Sequence, residues 1–219
     1  MSNDIYLYDT IGGPTANAAG LLPKVQAADP GRPITVHIHS PGGSVLDGEA
    51  ILSQLRSHPA GFVANVSGMA FSMAANIALS ADKVYMPADG WLMFHFARSQ
   101  SGGTASELAR QKRILDKMDE ALLDKLEYRL GPNNPGRETL DVRLAEDWYI
   151  DGKEALQLGL VDALTNDAAL AACSCDRPGG APAECLEYLD NSTRKMESAT
   201  RLTKNDEKII FLARNHSRG

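Results

Sequence analysis

The sequence predicts an α/β protein, because short apolar segments alternate with segments of helical patterning along its first half. Residues 5–8, 34–39 and 62–67 have the length and the β-branched or aromatic content of strands. Residues 16–28 and 48–57 lie between them and are each closed by a breaker that contains proline and glycine. This order of strand, helix and strand favours a sheet with helices packed against it.

The same alternation continues beyond residue 68. A run of alanines that begins at Ala70 predicts a helix packed tightly against the sheet. Residues 84–86 and 92–96 read as two further short strands, with a turn between them. Near the end of this region, residues 154–158 predict a short helix and residues 160–164 a last strand.

A long charged helix is predicted over residues 104–130. Its apolar residues recur at spacings of three, four and seven, which places them in one stripe: Leu108, Leu115, Met118, Leu122 and Leu126. At 1.5 Å per residue the helix is about 40 Å long. A helix of this length is expected to project from a small domain and to need a partner surface, although it can instead lie on its own core.

Composition limits the classes of function. The chain has 219 residues, 43% of them hydrophobic, which is enough to form one core. We expect one domain over residues 1–172, followed by a polar tail over residues 173–219. The tail is predicted to contain a short helix near residues 204–214. The net charge of −6 is mixed along the chain, which argues against nucleic-acid binding. The amino terminus lacks the basic residues of a signal peptide, and no segment is long and apolar enough to span a membrane. We therefore expect a cytoplasmic protein.

Two groups of residues could suggest a metal, and both have a simpler explanation. Three cysteines fall in one short segment without a nearby histidine: Cys173, Cys175 and Cys185. Three ligands are one fewer than a structural zinc site needs. His37 and His39 share one face of a predicted strand, where two polar residues on the wetter face are expected without any ligand. We predict no metal and no cofactor.

Three segments could carry chemistry. Residues 40–45 (SPGGSV) follow a strand, and the adjacent glycines can turn sharply and expose N–H groups, although a plain strand-to-helix turn fits as well. Ser72 falls at a predicted helix start, where it is either a nucleophile or an ordinary N-cap. His95 lies in an apolar strand, where it is either a core histidine or the base that a serine nucleophile needs.

Taken in order, these motifs resemble those of a known family. Four segments resemble those of the proteolytic subunit of Clp protease, ClpP. They are SPGG at residues 40–43, GMAFSMA around Ser72, MFH ending at His95 and EALQLGLVD over residues 154–162. The resemblance covers residues 3–165. Details over residues 45–48 and 55–60 look closer still to the ClpP-related head-maturation proteases of tailed phages and prophages.

The resemblance implies a fold and a site. The fold is the ClpP/crotonase-like spiral of β-β-α units with a protruding handle helix. The site is a serine endopeptidase triad in which Ser72 is the nucleophile, His95 the general base and Asp147 the residue that orients the histidine. The N–H groups of Gly43 and Met73 match the oxyanion-hole donors.

The resemblance also implies partners: a polypeptide substrate, further copies of the chain in a homo-oligomeric ring, and a Clp-type ATPase or phage capsid proteins. Phe71 departs from the pattern, because the family has a small residue before the nucleophile.

Three alternatives remain open. A crotonase-type acyl-CoA enzyme shares the fold and the pair of N–H donors but needs neither Ser72 nor His95. A membrane-linked signal-peptide peptidase would use a serine–lysine pair and an anchor. A non-catalytic ClpP-like subunit would assemble with an active partner, but the triad residues argue against it.

Overall fold

A computed structural model describes residues 3–165, which form two units. The first unit contains the described residues up to Met93 and those from Tyr149 onward, and the second contains residues 94–148. The predicted tail, its short helix and the three cysteines lie outside the described residues.

The first unit is built on a parallel sheet. The strands are β1 (Asp4–Leu7), β2 (Ile34–Ser40), β3 (Phe62–Phe71), β4 (Lys83–Met86), β5 (Trp91–Phe94), β6 (Trp148–Asp151) and β7 (Ala163–Leu164). The main path through the sheet has the strand order β1-β2-β3-β4-β7, and β5 pairs with β3 and with β6. The helices that connect them are α1 (Ala18–Ala27), α2 (Val45–Arg56), α3 (Met73–Leu79) and α6 (Gly152–Leu158). The predicted α/β architecture is confirmed.

The core lies on one face of this sheet. Val36 and Ile38 of β2 and Ala64 and Val66 of β3 are fully buried, and helix α3 packs against β3 with the small residues that the sequence indicated. On the opposite face His37 and His39 occupy neighbouring positions, as the alternation predicted.

The second unit is helical, with α4 (Ala105–Leu130) and α5 (Arg137–Ala145) separated by a short 3₁₀ turn at Gly131–Asn133. Thr104 and Glu107 form a capping box that starts α4. Arg137 at the start of α5 bonds to three acids of α4, which are Glu120, Asp124 and Glu127.

The apolar stripe of α4 differs from the predicted one. Leu126 is buried as expected, but the other buried residues are Leu123 and Leu130, which the predicted stripe omits. Leu108 is 44% exposed, and its half of the helix is largely exposed. Among the described residues, it is therefore the carboxyl-terminal half of α4 whose apolar side chains are buried.

Two elements were not predicted. Residues 137–145 form α5, and residues 148–151 form strand β6. In β6 the side chains of Trp148 and Ile150 are buried while Tyr149 between them is exposed. Four alternating residues are too few to separate a strand from a turn by pattern alone.

Candidate active site

The register of β2 and β3 places the glycine turn next to Ser72. Ser40 pairs with Ala70 after an irregularity in the ladder, so the residues that follow each strand meet. A Cβ atom on Gly42 would lie 2.5 Å from the carbonyl oxygen of Phe71 and 2.8 Å from Cβ of Ser72. Gly42 has φ 89°, so both its backbone conformation and its surroundings require glycine.

Ser72 stands in a sharp turn between strand β3 and helix α3, with φ 54° and ψ −121°. Residues with a side chain rarely adopt a positive φ. Among the described residues, Asp147 at 56° is the only other non-glycine residue that does so. The Ser72 hydroxyl makes no capping hydrogen bond to α3. The interpretation of Ser72 as an ordinary N-cap therefore does not fit the geometry.

Among the described residues, the backbone N–H groups of Gly43 and Met73 have no acceptor in a loop or a helix cap. Gly42 and Ser44, on either side of Gly43, are both held by hydrogen bonds. The Gly42 N–H donates to the Ser40 hydroxyl at 3.2 Å, and the Gly42 carbonyl accepts the Ile11 N–H at 2.8 Å. The turn is thus fixed while its predicted oxyanion donor stays available.

The strained turn is held from both sides. Before Ser72, the ring of Phe71 meets the ring of Tyr149 edge-on at 5.6 Å, and after it the Met73 side chain is buried against Gly48. The Ser72 N–H itself donates to the Met93 carbonyl at 2.8 Å. Phe71, the departure from the family pattern, thus anchors the strand that carries Ser72.

His95 lies in the second unit and its imidazole is partly exposed. Its Nδ1 lies 2.5 Å from the carbonyl oxygen of Phe96. A carbonyl can only accept, so Nδ1 carries the hydrogen and Nε2 is left as an acceptor. That tautomer is the one a general base requires.

Asp147, the predicted orienting acid, pairs with Arg98 in this structure and not with His95. Both residues belong to the second unit, and Arg98 is largely exposed. The structure therefore brings Gly42, Ser72 and Met73 together in the first unit, and it gives the His95 Nδ1 a backbone partner in place of a carboxylate.

One acid near His95 was missed from the sequence. Oδ1 of Asp119, on α4, accepts the N–H of Ala97 at 2.7 Å. Burial raises the pKa of Asp119, and the nearby charge of Asp116 adds to this, whereas the Ala97 N–H and His95 act in the opposite direction. In the sequence Asp119 is one of several acids on a charged helix, so no pattern singles it out.

The histidine pair on β2 has ordinary partners. His37 stacks on Tyr6 at 4.7 Å and its Nε2 lies 3.0 Å from Oδ1 of Asp4, while Nδ1 of His39 lies 3.0 Å from the Ser67 carbonyl. Across residues 3–165 no three His, Cys, Asp or Glu side chains are grouped as metal ligands. Within the same range no helix is long and apolar enough to cross a membrane.

Comparison with known proteins decides the family. The sequence profile described as Clp protease matches residues 2–168, which includes both units and every predicted site residue. The chain belongs to the Clp protease family. The fold agrees, since the described residues contain a parallel sheet and six α-helices, and a protease activity follows at the level of the family.

Individual members of the Clp protease family are moderately similar to this chain. The ATP-dependent Clp protease proteolytic subunit 3 of Rhodococcus jostii is 30% identical over 69% of this chain and 75% of its own length. Subunit 1 of Leifsonia xyli is 31% identical over 77% of this chain and 85% of its own. Subunit 1 of Prochlorococcus marinus is 30% identical over 72% of this chain and 81% of its own length. None of these three is a phage protein, so the closer resemblance to head-maturation proteases stays a prediction.

Proposed function

We propose that this chain is a serine endopeptidase that cleaves polypeptides through an acyl-enzyme formed on Ser72. The observation that carries the proposal is the conformation of Ser72, a strained residue at a strand-to-helix turn whose hydroxyl caps nothing. Strain of this kind persists only where the surrounding structure imposes it, and here Gly42, Phe71 and Met73 do so. A purely structural serine needs none of these features.

In the proposed reaction Nε2 of His95 removes the proton from the Ser72 hydroxyl as Oγ attacks the carbonyl carbon of the scissile bond. The N–H groups of Gly43 and Met73 bind the resulting oxyanion, each donor contributing about 3 kcal/mol to the transition state. The intermediate collapses, the carbon–nitrogen bond breaks, and the departing amine takes the proton from His95. Water then repeats the cycle on the ester and releases Ser72.

The same turn supports the peptidase over the alternatives. A crotonase-type enzyme needs the oxyanion donors but not a strained serine, and a non-catalytic subunit needs neither. We further propose that the chain works as a homo-oligomer, since its relatives are named as subunits of an ATP-dependent protease. A Clp-type ATPase is one candidate partner, and phage capsid proteins are the other if the chain matures a phage head.

Labelling by a fluorophosphonate tests the nucleophile. We expect one adduct per chain on Ser72, with loss of labelling and of peptide cleavage of about a thousandfold or more in Ser72→Ala and in His95→Ala. Ser44→Ala is the matched control, because Ser44 lies beside the same turn and its hydroxyl caps α2. Labelling that survives in Ser72→Ala would remove the assignment.

A further inference from the structure

One peptide bond links Asp119 to His95. The carbonyl of the Phe96–Ala97 peptide lies 2.5 Å from Nδ1 of His95, and the N–H of the same peptide donates to Oδ1 of Asp119 at 2.7 Å. All four residues belong to the second unit. A carboxylate, an amide group and an imidazole thus form one continuous chain of hydrogen bonds.

Such a chain is polarised in one direction. A negative carboxylate draws the amide hydrogen, which increases the electron density on the carbonyl oxygen and makes it a stronger acceptor for the imidazole N–H. A stronger acceptor at Nδ1 fixes the orientation of the ring and stabilises the imidazolium that forms when Nε2 takes a proton. An aspartate bonded directly to the histidine does the same in a conventional triad.

The energetics of Asp119 argue against a purely structural role. Burial is the largest influence on its carboxyl and raises its pKa, so holding the ionised form at this site costs folding free energy. The titratable groups around it are Asp116 and Lys112 on the same helix and His95 on the neighbouring segment. An amide side chain would accept the Ala97 N–H without that cost.

We propose that Asp119 is a positioning residue that orients and polarises His95 through the Phe96–Ala97 peptide bond. The proposal rests on the proposed function, in which His95 is the general base. It assigns a role to an acid that the family resemblance did not mark, and it explains how Nδ1 can be oriented while the carboxylate of Asp147 is paired with Arg98.

Two substitutions separate the charge of Asp119 from its hydrogen bond. Asp119→Asn keeps an oxygen that accepts the Ala97 N–H but removes the charge, whereas Asp119→Ala removes both. We expect kcat for peptide cleavage and the rate of fluorophosphonate labelling to fall about tenfold in Asp119→Asn and further in Asp119→Ala. KM should stay within about twofold, because Asp119 does not touch the substrate.

The melting temperature distinguishes positioning from folding. Asp119→Asn should melt at the same temperature as the wild type or higher, because the cost of holding a charge at this partly buried site is removed. The control is Asp116→Asn, one turn away on α4 and paired with Lys112, which should keep its labelling rate within about twofold.

Three results would overturn the proposal. These are a labelling rate within about twofold of wild type in Asp119→Asn, a loss confined to Asp119→Ala, or a loss of rate accompanied by a lower melting temperature in Asp119→Asn. Labelling of the wild type that does not depend on Ser72 and His95 would instead show that the proposed function itself is wrong, and the role of Asp119 would fall with it.

Discussion

At the scale of single residues, the backbone at Asp147 supports a functional role for this acid. Its φ of 56° lies in the left-handed region, which aspartate and asparagine tolerate better than most residues do. The neighbouring acids have structural explanations: Glu146 ends α5, and Asp151 caps α6 by accepting the Glu154 N–H at 2.8 Å. In this structure Asp147 is held by Arg98, so to serve His95 directly it must exchange that partner.

Substitution of the three acids tests the assignment. If Asp147 orients His95 during the reaction, Asp147→Asn should reduce turnover by a factor on the order of 10⁴ without lowering the melting temperature, because asparagine keeps the shape and tolerates positive φ. Glu146→Gln and Asp151→Asn should stay within about tenfold of wild type. Full activity in Asp147→Asn, measured with a peptide substrate, would leave Asp119 as the acid that supports the histidine.

The sequence predicts residue types at the site better than their conformations. The glycine pair, Ser72 and His95 stand out because of their order and spacing. The positive φ of Ser72 could not be predicted, because it depends on a contact with Gly42 made through the register of two strands. The role of Asp119 was also hidden, since it rests on a hydrogen bond to a main-chain group 22 positions away.

At the scale of elements, strongly patterned segments were predictable and short ones were not. The β-branched strand β2 and the 26-residue helix α4 have clear periodicity. Helix α5 has only nine residues, RETLDVRLA, with a low apolar content, and it is held to α4 through Arg137. Elements of this kind are specified by tertiary contacts, which a local pattern does not contain.

The capping box of α4 gives a prediction that depends on pH. The Thr104 N–H, followed by the Thr104 hydroxyl, lowers the pKa of Glu107 below its ordinary value. Because the pKa of Glu107 is lower in the folded state than in the unfolded state, its ionised carboxyl stabilises the fold at pH values above the unfolded pKa. This stabilisation is lost as the pH falls through the pKa of the folded state.

We therefore expect Glu107→Gln to lower the melting temperature by about 1–2 °C at pH 7 and by less near pH 3, where more of the carboxyl group is protonated. The control is Glu138→Gln in the first turn of α5, a helix without a side-chain cap, which should show a smaller change at pH 7. Calorimetry at the two pH values measures both variants. A difference for Glu107→Gln that is as large at pH 3 as at pH 7 would contradict the role of the carboxylate.

At the scale of the whole molecule, the exposed half of α4 indicates assembly. Leu108 and Ile114 are 44% and 43% exposed, and Leu115, Met118 and Leu122 are only partly covered. An apolar band of this kind is costly in a monomer and is typical of a surface that another subunit covers. The membership of a family whose relatives are named as subunits agrees with this reading.

We expect the wild-type chain to form a large homo-oligomer at micromolar concentration. The double substitution Leu108→Glu and Ile114→Glu should reduce the mass of this oligomer, because two charges buried without partners in an interface are strongly unfavourable. Arg113→Glu is the control. At 100° per residue its side chain lies about 140° around the helix from Leu108 and about 100° from Ile114, away from the apolar band. Light scattering after size exclusion measures the mass of each variant, and circular dichroism checks that the helices persist. A monomeric wild type, or a control that dissociates as readily as the double variant, would show that this face of α4 does not hold the subunits together.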